Sequence, residues 1–211
     1  MKAGWYSWLL VGLLAVLPAH AAQDLAPDAL AKSITADVLA ELRAGRKAQA
    51  GDSLKVQALI EAKILPHFDF AAMTRLAMGK NWAQATPEQR MALTGEFRTL
   101  LLRTYTAPLM QYRDQVIDYR PLKLAPEDTD VVVKSVIRQA GGEPISIDYS
   151  MKKTDSGWKV YDVKFAGMSL VMNYRSTFTA EIQRSGVEGL IKALAEKNRA
   201  LAGKSRASVR T

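Results

Sequence analysis

"PISIDYSMKKTDSGWKVYDVKF" (Pro144–Phe165) decides the fold. Ile145, Ile147, Tyr149 and Met151 point one way, and Ser146, Asp148, Ser150 and Lys152 point the other. That period of two is what a pleated strand imposes. The turn residues of "KTDSG" follow, and Trp158–Phe165 returns as a second strand. A turn this short joins antiparallel strands, because parallel neighbours need a long crossover. The polar side of Pro144–Lys153 should face water.

Two more strands lie upstream, Gln115–Leu124 and Asp130–Ala140, the latter leading into the turn "AGGEP". Before them the period is helical. Leu30, Ile34, Val38 and Leu42 recur every four residues within Asp28–Arg43. Asp52 or Ser53 opens a second helix, which Pro66 ends near Leu65. "FDFAAMTRLAMGKNW" (Phe68–Trp82) reads as a short helix closed by Gly79. Thr86-Pro87-Glu88-Gln89 is a capping box with proline at the first helical position, so a helix runs from there to about Tyr112, kinked at Pro108. Its two apolar stripes, Leu93, Phe97, Leu100, Leu101 and then Leu102, Tyr105, Leu109, Tyr112, are wider together than one buried face requires. That helix should be sandwiched.

After the strands, a helix is expected from Ser169 to Arg184, stopping at Gly186, and a last one carries Val187, Leu190, Ile191 and Leu194. Helices, then a strand meander, then helices imply an α+β domain. The expectation is a curved, antiparallel four-stranded sheet against a helical layer, with an apolar pocket inside.

The chain has 211 residues. Its start follows the plan of a secretory leader: Lys2, an apolar run from Trp5 to Leu17, Pro18, then Ala19-His20-Ala21. Residues 1–21 are therefore expected to be a cleaved signal peptide, 22–202 a single domain, and 203–211 ("GKSRASVRT") a flexible basic tail. Export is expected to leave the protein in the periplasm. There is no cysteine, so disulfides, thiolate metal sites and cysteine nucleophiles are excluded. The formal charge of +8, lowered by one when Lys2 leaves with the signal peptide, favours acidic proteins or anionic lipid. No aromatic-basic signature points to nucleic acid.

Ser169 lies where a hydrolase would hold a nucleophile, between a strand and a helix. The elbow pattern G-x-S-x-G fails, because Gly167-Met168-Ser169-Leu170-Val171 ends in a β-branched residue. The histidine that should follow is missing; past the leader the chain has only His67, upstream. Ser169 then reads as a helix cap. Glu127-Asp128-Thr129-Asp130 lacks the glycine and distal glutamate of a calcium loop. Tyr161, Asp162 and Asp148 are the residues an enzyme on a cone-shaped α+β fold would use.

Binding is better supported. Val171, Arg175, Phe178 and Ile182 share one helical stripe, and Arg175 sits inside it. A buried guanidinium needs a partner: a carboxylate, carbonyls, or the anionic part of a ligand. Met73, Met78, Met91, Met110, Met151, Met168 and Met172 add adaptable apolar surface.

"ILPHFDFAAMTRLAMGKNWAQATPEQRMALTGEFRTLLLRTY" and "GWKVYDVKFAGMSLVMNYRSTF" resemble the MlaC / toluene-tolerance family of periplasmic phospholipid-transport proteins. The resemblance spans about Pro27 to Lys197. It rests on Phe68-Asp69-Phe70, Gly79…Trp82, Trp158–Val163 and Asn173-Tyr174-Arg175…Phe178. It implies a monomeric, non-catalytic shuttle for glycerophospholipids with no cofactor. It also implies docking to an outer-membrane lipoprotein complex and to an inner-membrane ABC-type lipid transporter, maintaining outer-membrane asymmetry. The residues expected around the acyl chains are Phe70, Met73, Leu101, Tyr105, Leu109, Val133, Phe165, Met168, Leu170, Met172, Tyr174 and Phe178, with Arg175 near the mouth. A small-substrate enzyme and a protein-binding adaptor are the alternatives.

Overall fold

The structure is a computed structural model that describes residues 25–47, 53–110, 115–139 and 141–208. The expected leader lies outside them. The helices are α1 (Pro27–Lys47), α2 (Ser53–Lys63), α3 (Phe70–Met78), α4 (Pro87–Met110) and α5 (Arg175–Ser208). The strands are β1 (Val116–Tyr119), β2 (Asp130–Arg138), β3 (Ile145–Thr154), β4 (Gly157–Phe165) and β5 (Met168–Ser169). They form one antiparallel sheet in the order β1-β2-β3-β4-β5. The α+β meander is as expected, with five strands in place of four.

The fifth strand exists because the backbone doubles back at once. Ala166 and Gly167 both take positive φ (49° and 80°), a tight reversal that brings Met168 and Ser169 opposite Phe165 and Lys164. The helix expected from Ser169 therefore begins later. Ser169 Oγ accepts from the N–H of Met172 (2.9 Å), which caps a single 3-10 turn at Met172–Tyr174, and α5 starts at Arg175. α5 breaks at Gly186 (φ 72°), the residue expected to stop a helix, and runs on to Ser208 through the first residues of the expected tail. α4 continues through Pro108 to Met110. β1 is shorter than its sequence run, because Pro121 has no N–H for the ladder.

The capping box forms as read. Gln89 N–H donates to Thr86 Oγ1 (3.2 Å) and Thr86 N–H donates to Gln89 Oε1 (3.1 Å). Thr86→Ala should lower unfolding free energy by about 1 kcal/mol, visible as a shifted urea midpoint with unchanged slope.

One irregularity sets the faces of the sheet. Ser150 pairs with Asp162 but Met151 pairs with Val160, so Tyr161 is an extra residue in β4. This bulge resets the alternation. Trp158, Val160, Val163 and Phe165 all lie on the face of Ile147, Tyr149 and Met151, which strict alternation would forbid. On the opposite face Ser150 is buried rather than solvated, with buried Asp162 as its pair.

The core is in two parts. Met73, Ala77, Met78, Leu93, Phe97, Leu100, Leu101, Val171, Phe178 and Ile182 form the centre of a helical cluster. Leu30 and Ala31 of α1 cover Val131, Val133, Met151, Trp158 and Val160 in a second cluster on the sheet. Phe68 packs against both. It is joined to the sheet by a bridge to Val160, where Asp69 N–H donates to Val160 O (2.8 Å). α4 is sandwiched as expected: α5, α2 and α3 all pack on it.

Candidate functional site

The inner face of the sheet is mostly apolar, and among the described residues helices bury it at only one end. Register places Val131, Met151 and Val160 in one row under α1, all buried. The next row is Val133, Tyr149 and Val163, then Tyr119, Ser135, Ile147 and Phe165, then Ile117, Ile137 and Ile145. Burial falls along this series. Val133 and Ser135 are buried; Tyr149, Val163, Ile147, Ile117, Ile137 and Ile145 are half-buried; and Phe165 is 42% exposed. Aliphatic side chains on an inward face normally lose all their water. Here a run of them does not.

Tyr149 marks the depth of this region. Its ring stacks on Tyr119 (centroids 6.4 Å apart, 18° between planes). Burial, then the neighbouring Tyr119, push its hydroxyl far above the ordinary tyrosine value. Yet the residue keeps accessible surface. Tyr119 is anchored in turn, its hydroxyl 2.6 Å from Thr35 Oγ1 and donating to Ala31 O (3.2 Å).

The segment from Ala166 to Tyr174 forms the rim. Ala166 N–H donates to Ser146 O (2.9 Å) and Leu170 N–H to Val163 O (2.8 Å). Val171 N–H donates to Asp162 Oδ1 (3.3 Å), so this buried carboxylate on the opposite face of β4 ties the rim to the sheet. Met168, paired with Phe165 across the β4–β5 ladder, stands 70% exposed, and Met172 44%. Tyr174 packs edge-on to Phe97 (5.1 Å), which also meets Phe178 (5.2 Å). Burial, and after it Tyr174, push the Tyr105 hydroxyl above its usual range.

The expected site residues divide accordingly. Met73, Leu101 and Phe178 are buried in the helical cluster, with Phe70, Tyr105 and Tyr174 packed against it, and Val133 belongs to the sheet cluster. Leu170 is half-buried on the rim, and Phe165, Met168 and Met172 are its exposed apolar residues. The side chain of Leu109 lies outside the described residues. Arg175, read as lying within the apolar stripe of Val171, Phe178 and Ile182, is exposed while those three are buried, and it stands at the first position of α5, next to the rim segment. Ile117, Ile137, Ile145, Ile147, Tyr149 and Val163 were not in that set. The alternation of β3 was the available signal.

Several of the residues weighed for catalysis make structural contacts. Tyr161 donates to Asp130 Oδ1 (2.8 Å), and Asp128 Oδ2 accepts from Ala125 N–H (2.8 Å) within the acidic turn. His67 ends a 3-10 turn, and burial and then Lys159 lower its pKa from the ordinary value. Among the described residues, no group of three or more His, Cys, Asp or Glu could hold a metal. A shallow cleft of about 230 Å³ lies away from the rim, lined by Leu124, Asp128, Lys153 and Trp158 among others.

The chain is 22% identical over 191 residues to the intermembrane phospholipid transport system binding protein MlaC of Haemophilus influenzae, covering 89% of each. It is 23% identical over 178 residues to toluene tolerance protein ttg2D of Pseudomonas putida, covering 84% of this chain and 82% of that one. A phospholipid-binding protein from Ralstonia solanacearum, solved in complex with a phospholipid, superposes with a TM-score of 0.74 at 41% identity, over 82% of this chain and 96% of that one. The family model described as MlaC protein matches residues 32–196, and the chain therefore belongs to the MlaC family.

Proposed function

We propose that this protein is a periplasmic phospholipid-binding carrier. It holds the acyl chains of a glycerophospholipid against the open end of the inner sheet face. It shuttles its cargo between an outer-membrane lipoprotein complex and an inner-membrane ABC-type transporter, without catalysis and without a cofactor. The observation that supports this most is the apolar face that α1 covers at one end and nothing among the described residues buries at the other. The phospholipid complex of the Ralstonia protein supports the same reading.

The energetics suit a carrier. Two chains of ~16 carbons, at ~0.8 kcal/mol per methylene, would be destabilised by on the order of 25 kcal/mol in water, so they must be enclosed in transit. Transfer from bilayer to an apolar recess is close to oil-to-oil, which leaves a small net change and a reversible cargo. The phosphate stays outside, because burying an unpaired charge costs several kcal/mol. Native mass spectrometry of freshly purified protein should show adducts of phospholipid mass, and an organic extract should contain phospholipid. Preparations that neither arrive with phospholipid nor accept it from vesicles would refute the carrier.

A further inference from the structure

We propose that Arg175 is the anchor for the cargo's phosphate, held at the rim by a slot that a glycine at position 79 leaves open. This rests on the carrier reading. Gly79 ends α3 with φ 55° and ψ −130°, a conformation that only glycine adopts without strain. A Cβ there would stand 2.7 Å from Arg175 Nη2 and 2.8 Å from Nε, closer than atoms approach. The guanidinium thus packs over the bare backbone of Gly79, in the space a side chain there would fill.

Among the described residues no side-chain oxygen takes its donors. Nη1 makes one weak contact, to Met172 Sδ at 3.9 Å. Among the described residues, the ion pairs are Arg138–Asp118 and Arg184–Glu181, and neither involves Arg175. A planar fork with free N–H groups matches a phosphodiester bidentately. The position is also right: Met172, the residue it touches, is an exposed apolar side chain three residues beyond Ser169, whose hydroxyl accepts from its N–H, and so belongs to the rim segment. Chains entering past these residues would bring the phosphate to the guanidinium, on the water side of the boundary. A competing structural role is neutralising the C-terminal end of α3, which arginines near helix ends commonly do.

The test compares lipids that differ only in phosphate. Wild type, Arg175→Gln and Arg175→Lys are titrated with phosphatidylglycerol and with diacylglycerol of the same chains, and with inorganic phosphate alone. Arg175→Gln is expected to weaken phosphatidylglycerol binding at least tenfold and to leave diacylglycerol within about twofold, since loss of one charge-assisted pair exceeds a tenfold effect. Arg175→Lys should recover part of the loss, as a point charge without the fork. Equal weakening of both lipids, or a lowered melting temperature without selective weakening, would make Arg175 structural and overturn the proposal. A response to inorganic phosphate that Arg175→Gln abolishes, with phosphatidylglycerol binding unchanged, would make this a free-anion site and overturn it too. Wild type that takes up neither lipid would remove the carrier reading itself, a different failure from any of these.

Discussion

Ile147→Asp is expected to empty the protein of phospholipid while leaving it folded. Ile147 lies between Ser135 and Phe165 on the inner face of the central strand, half-buried where the apolar surface opens. Without lipid, a carboxylate there still reaches water, so the cost to folding should stay near 1 kcal/mol, the ordinary span for a poor strand former. With lipid, acyl chains displace that water and the charge must be desolvated, at an effective cost of several kcal/mol. Aspartate is too short to escape along the chain as lysine or arginine would. The difference corresponds to at least a hundredfold loss of affinity. Ser146→Asp is the matched control, because it places the same charge one residue away on the exposed outer face. Native mass spectrometry with circular dichroism on both variants decides the matter. Wild-type lipid stoichiometry in folded Ile147→Asp would show that cargo does not lie on this face.

Phe97→Ala should be the most destabilising single truncation, by about 3–5 kcal/mol in urea unfolding. Phe97 is fully buried at the centre of the helical cluster, where α4 meets both the rim turn and α5. Its ring receives Tyr174 edge-on at 5.1 Å and Phe178 at 5.2 Å, contacts worth a further ~0.5–1.5 kcal/mol per pair beyond area. Since domains of this size are stable by about 5–15 kcal/mol in total, the variant should be marginal at physiological temperature. Phe97→Leu refills part of the space and should cost markedly less. A loss below about 1 kcal/mol for the alanine variant would mean that the cluster collapses around the gap and that Phe97 does not hold the rim to α4.

Sequence patterns foretold the elements whose causes are local. The β3–β4 hairpin was legible because period two and a turn sequence sit side by side in Pro144–Phe165. The α4 start was legible because Thr86 and Gln89 satisfy each other's backbone groups across one turn. The break at Gly186 needed only glycine's conformational freedom. What stayed hidden depends on neighbours distant in the chain. The bulge at Tyr161 is a register event between two strands, and it reverses which β4 residues point inward. Ser150 looked solvated by alternation, yet it lies buried across from Asp162. The site suffered most. Met73 and Met168 are the same residue type in similar apolar surroundings, but one is sealed in the core and the other stands at the rim. Composition cannot separate filler from lining, because both are selected for the same aversion to water.

The partition of the interior, with Phe68 touching both halves, bears on how the protein yields to its cargo. Spreading two separately sealed units apart tears no continuous hydrophobic centre, so each should keep its own protected amides while the seam between them breathes. Cargo lying on the open end of the sheet face would then slow amide exchange in the sheet unit and leave that of the helical unit unchanged.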